Sequence, residues 1–136
     1  MRDPDLLYDY VQFVDEVTSD ASKNPDDFSD ALDIIDEQGV PPERLLTAAL
    51  GICAEGGEFT EVVKKCVFQG KPMDEHTQYH LKRELGDICW YIAQACMALD
   101  TNFREIMEMN YEKLSARYPE GAFDVYRSEN RVEGDL

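Results

Sequence analysis

Residues 43–68 read ERLLTAALGICAEGGEFTEVVKKCVF, and the reading of this stretch decides the fold. Leu45, Leu46, Ala49, Leu50, Cys53, Val62, Val63 and Cys66 recur largely at the three- and four-residue spacings of one helix face. The stretch is predicted as one helix from about Glu43 to Phe68, although Gly51, Gly56 and Gly57 interrupt it. A glycine inside a helix costs about 1 kcal/mol relative to alanine, so three of them need a reason beyond local propensity.

Downstream, Gln69-Gly70-Lys71-Pro72 ends this helix, and Asp74 can cap a fourth from about Glu75 to Leu99. A fifth, about Asn102 to Arg117, would turn Phe103, Ile106, Met109 and Leu114 inward, with Thr101 or Asp100 as cap. Tyr118-Pro119-Glu120-Gly121 is a stop, and residues 119–136 are predicted as an extended tail. Upstream, Leu6, Leu7, Tyr10, Val11, Phe13, Val14 and Val17 give a first helix of about four turns. Ser19 to Lys23 reads as a loop. Asn24 and Pro25 then open a second helix carrying Phe28, Ala31, Leu32, Ile34 and Ile35, which stops near Gly39 before Pro41-Pro42. No run alternates apolar and polar residues as a strand would. The fold class is therefore all-α: a single domain over residues 1–136, arranged as an antiparallel helical bundle.

The fourth helix is apolar on more than one side, with Leu81, Leu85, Ile88 and Ile92 on one and Trp90, Ala93 and Met97 towards another. A helix apolar nearly all round belongs at the centre of a bundle, and one chain of 136 residues supplies few helices to surround it. The core is expected to be completed by oligomerisation with symmetric copies.

The formal charge of −16 argues against nucleic acid and anionic membranes as partners. No apolar run approaches the ~20 residues that span a bilayer, and the Met-Arg-Asp-Pro-Asp start lacks a signal core. Cys53, Cys66, Cys89 and Cys96 show no C-x-x-C spacing and read as reduced core thiols of a cytoplasmic protein.

The chemistry concentrates in two acidic pairs, Glu55-Gly-Gly-Glu58 and Glu84-Leu-Gly-Asp87. Three residues turn a helix by about 300°, so each pair projects from one face, ~4.5 Å apart along the axis. Like charges there repel, and the helices gain nothing from them. If the two helices are antiparallel neighbours, four carboxylates converge in a partly buried cleft, where they must take up protons or bind cations. All-oxygen ligation selects Mg²⁺, Mn²⁺ or Ca²⁺ over zinc. Gly56, Gly57 and Gly86 would keep the facing surface open. His76 and His80 lie four apart but at the start of the fourth helix, away from the carboxylates, and read as surface residues.

Three segments together, Ala49 to Lys65, Lys82-Arg-Glu-Leu-Gly-Asp-Ile-Cys-Trp-Tyr91 and Asn110-Tyr-Glu-Lys-Leu-Ser-Ala-Arg-Tyr118, resemble the MazG-like nucleotide pyrophosphohydrolases, over roughly Leu45 to Phe123. That family belongs to the all-α pyrophosphatase group, with dimeric dUTPases and phosphoribosyl-ATP pyrophosphohydrolase. The whole-chain pattern is similar to small stand-alone members, including those of phages, which would place a phage-encoded chain in the host cytoplasm. The resemblance implies Mg²⁺-dependent hydrolysis of (deoxy)nucleoside triphosphates between the α and β phosphates, to a monophosphate and pyrophosphate, with Mn²⁺ as a substitute. It carries the metal-binding, catalytic carboxylates over to Glu55, Glu58, Glu84 and Asp87. One departure is Ala54, where the family often has a further Glu.

Asn110 and Lys113 match the family's substrate-contacting pair. Lys64, Lys65 and Arg117 are further candidate phosphate contacts, and read equally as a solvated basic face. Trp90 and Tyr91 could stack on a base or pack in the core. Glu58 is a candidate for the base that activates water. The resemblance also implies homo-oligomers, dimers or tetramers, with the cleft near the interface. The rival is a non-catalytic acidic helical module that binds a partner through its apolar faces.

Overall fold

The computed structural model describes residues 4–133, which form six α-helices, one 3₁₀ turn and no strand. The chain divides into two compact units, residues 1–42 and 43–136, where the sequence suggests one domain. In the first lie α1 (Pro4–Glu16), a 3₁₀ turn (Asp20–Ser22) within the expected loop, and α2 (Pro25–Glu37). The Asn24 side chain accepts the Asp26 N–H at 2.9 Å, capping α2 just before the proline whose missing N–H costs nothing there. The 3₁₀ turn packs on α2, and Lys23 Nζ donates to the Asp15 carbonyl at 2.8 Å, tying the turn back to α1. Gly39, at φ +89°, ends α2 in the left-handed region that only glycine enters freely.

The second unit holds α3 (Pro42–Phe68), α4 (Glu75–Ala98), α5 (Phe103–Arg117) and α6 (Val125–Glu129). Asp74 caps α4 by accepting the Thr77 N–H at 2.9 Å, a bond that holds its carboxyl below the usual value. The cap of α5 is Asn102, not Thr101 or Asp100: its side chain accepts the Glu105 N–H at 3.1 Å. Helix α6 replaces part of the expected extended tail, because Asp124 accepts the Arg127 N–H at 2.9 Å and supplies the cap. Residues 1–3, and residues 134–136 of that tail, lie outside the described residues.

Helices α3 and α4 run antiparallel. Arg44 donates to Gln94 at 2.9 Å, Gly51 faces Tyr91, and Glu55 approaches Asp87 and Glu84, so one series of numbers rises as the other falls. Gly51 explains itself. A Cβ built there would overlap the ring of Tyr91, so the missing side chain is what lets the helices approach. Gly56, Gly57 and Gly86 differ, since a Cβ at any of them would meet nothing within 4 Å.

The apolar core is small: among the described residues, Ala48, Val62, Cys96 and Ala98 are the buried hydrophobic side chains. Two sequence expectations change here. Cys53 and Cys89 are exposed and Cys66 is half-buried, leaving Cys96 alone as a core thiol. On α5, the inward set Phe103, Ile106, Met109 and Leu114 remains 37–60% exposed. Hydropathy records a preference for burial, and the described helices leave these side chains uncovered.

Gly51→Ala should lower the melting temperature. The methyl must displace the Tyr91 ring, a strain of about 1–3 kcal/mol that outweighs the roughly 1 kcal/mol gained in helix propensity. Gly86→Ala, which only gains propensity, should raise it by a few degrees. Thermal melts of the two variants beside the wild type check both signs.

Candidate metal centre

Gly51 sets the helix separation, and Glu55 follows it by one turn on α3. On α4, Asp87 precedes Tyr91 by one turn, and Glu84 lies another three residues back. The antiparallel register thus brings Glu55, Glu84 and Asp87 together, with one carboxylate oxygen from each inside a 4.8 Å cluster. Glu84 is buried, Glu55 half-buried and Asp87 exposed, so the group opens to solvent on one side.

Such a group is electrostatically uncomfortable. The Glu55 carboxyl is held above its ordinary value, first by partial desolvation, then by the charges of Asp87 and Glu84, by a side-chain hydrogen bond with Glu84, and by the charge of Glu58. Each of these contributions disfavours the charged form of Glu55, because like charges held close in a partly desolvated site repel. A hard divalent cation would relieve this repulsion by offering charge to all three oxygens at once. Oxygens bound to one magnesium lie at most about 4.2 Å apart, so a spread of up to 4.8 Å would have to tighten to hold one.

The other candidates fall in several places. Glu58 is exposed and lies outside the tight cluster, close enough for its charge to act on Glu55. Lys64 and Lys65 both turn to Glu61, at 2.8 and 3.0 Å, and hold its carboxyl below the usual value. Tyr91 packs over Gly51 and meets Trp90 edge-on, the centroids 4.9 Å apart, while Trp90 remains 55% exposed. The Arg117 guanidinium sits 6.0 Å from the centroid of the Tyr118 ring. Asn110 opens into a groove of about 460 Å³ between α5 and Gly121–Phe123, and none of the clustered carboxylates lines it. Lys113 is half-buried on the same helix.

One residue near the cluster escapes the sequence reading. His80 Nε2 lies 2.8 Å from Glu84 Oε1. The signal in the sequence is the i, i+4 spacing of His80 and Glu84, which sets the imidazole one turn before the carboxylate on the same helix face.

Comparison with known proteins adds an independent line. The family model described as the MazG nucleotide pyrophosphohydrolase domain matches residues 43–122. Gene 37 protein of Mycobacterium phage L5 is 32% identical over 81 residues, covering 58% of this chain and 70% of its own length. No solved structure matches the chain significantly.

Because the Glu55 carboxyl is held above 4.5, the fold binds protons that the unfolded chain has released, and stability falls as pH rises above 4.5. Glu55→Gln removes the charged form. In chelator, the variant should melt above the wild type at pH 7.5, with the gap narrowing towards pH 4. Equal melting at both pH values would show that the repulsion is not felt.

Proposed function

The chain belongs to the MazG nucleotide pyrophosphohydrolase domain family, and from that membership we propose that it hydrolyses (deoxy)nucleoside triphosphates to a monophosphate and pyrophosphate, using Mg²⁺ or Mn²⁺. The observation that carries the reading is the convergence of Glu55, Glu84 and Asp87, from two helices, within the family-matched segment.

Glu55, Glu84 and Asp87 would hold the cation, their three oxygens matching a hard ion's preference. When bound, a divalent cation neutralises phosphate charge and makes a bound water easier to deprotonate. Glu58, exposed and on the same helix as Glu55, is assigned as the base that takes the water's proton. It remains a candidate ligand if its side chain rotates inward. Lys64 and Lys65 would reach a phosphate only by leaving Glu61, which sets a competition between an internal carboxylate and the substrate. Trp90, with its exposed ring, is the better candidate of the aromatic pair for stacking on a base.

Homo-oligomerisation completes the reading. The exposed apolar residues of α4 and α5, among them Leu85, Met97, Met107 and Tyr111, favour burial against further copies. Asn110 and Lys113 would then face metals held by a neighbouring subunit, which would account for the groove at Asn110 lacking the clustered carboxylates.

Incubation with a panel of nucleoside triphosphates should release monophosphate and pyrophosphate in equal amounts, only with Mg²⁺ or Mn²⁺. Asp87→Asn should reduce turnover by at least 10²-fold at unchanged helical content; diphosphate and orthophosphate as primary products would overturn the bond assignment. Light scattering should give a mass above the monomer. Mixing Asp87→Asn with Lys113→Ala subunits should restore part of the activity, whereas no recovery after demonstrated subunit exchange would mean each chain builds its own site.

A further inference from the structure

Glu84 is the most deeply buried of the three clustered carboxylates, and it is a long side chain with several torsions to fix. Its Oε1 is engaged by His80 Nε2 at 2.8 Å, across one turn of α4. In the carboxylate form that would hold a cation, Glu84 accepts and the imidazole donates through Nε2–H. The ring is 42% exposed and the Glu84 side chain 12%, so a half-exposed histidine engages a largely buried carboxylate by one oxygen and leaves its second oxygen unclaimed by the ring. His80 itself is absent from the group of side chains near enough to share an ion.

We infer that His80 is a positioning residue, which holds Glu84 by one oxygen in the rotamer that turns the other towards Glu55 and Asp87. This rests on the proposed cation site. Neighbours that fix a ligand's orientation typically contribute 10–100-fold in metal affinity. A histidine that only braced the helix would alter thermal stability and leave cation affinity where it was.

The test is Mn²⁺ binding to the full chain without nucleotide, followed by calorimetry and by the paramagnetic resonance of free Mn²⁺, alongside thermal melts in chelator. His80→Ala and His80→Phe both lose the donor, one with and one without the bulk of a ring; either suffices if the other folds poorly. Both should bind Mn²⁺ about 10–100-fold more weakly. His80→Gln, which can still donate an N–H to Glu84, should recover most of the affinity. Wild-type affinity in the Ala and Phe variants would overturn the positioning role while leaving the cation site standing. A Gln variant as weak as Ala would also overturn it, since the hydrogen bond would not be the cause. A wild-type chain that binds no Mn²⁺ would overturn both the site and the role.

Discussion

The close approach of α3 and α4 at Gly51 is the constraint on which the rest of the second unit depends. With no side chain at that position, the Tyr91 ring occupies the space a Cβ would need. This fixes how near the helices lie and which residues face each other. One turn along from Gly51 and one turn back from Tyr91, the same register sets Glu55 opposite Asp87, with Glu84 within reach. A shift of one residue in that register would rotate one helix's carboxylates by about 100° away from the other's. An apolar, steric contact therefore determines the geometry of an acidic group, even though the carboxylates themselves push the helices apart.

That repulsion also says something about energetics. The cluster is not there to stabilise the fold: the neighbouring charges of Asp87, Glu84 and Glu58, together with partial burial, make Glu55 resist ionisation. Sites that work against stability in this way are where sequence and fold are expected to conflict for the sake of chemistry. The small core sharpens the conflict. With Ala48, Val62, Cys96 and Ala98 the buried apolar residues, the chain has little apolar burial with which to offset charge crowding.

Much of this was legible in the sequence. The limits of α3 and α4, the Asn24 and Asp74 caps, and the pairing of two acidic motifs on facing helices all follow from periodicity and capping chemistry. These signals are local and repeat over many residues. What was not legible depended on contacts between distant residues. Gly51 and Gly56 look alike along the chain, yet only Gly51 meets an aromatic ring. Cys53, Cys89 and the apolar residues of α5 look like core, because hydropathy records a preference for burial and not whether one chain supplies the cover. Lys64 and Lys65 were readable as phosphate ligands, but Glu61, on the same helix, takes both. The α6 turn was missed because its single cap, Asp124, precedes a helix of five residues, too short to show a period.

The boundary between the two compact units falls at residue 43, where the family-matched segment also begins. The contacts described around the acidic cluster lie on the far side of that boundary: Arg44 with Gln94, Gly51 with Tyr91, His80 with Glu84. Positions 51 and 91 are bound to one another by volume: any side chain added at 51 has to be matched by a smaller one at 91 for the two helices to keep their spacing.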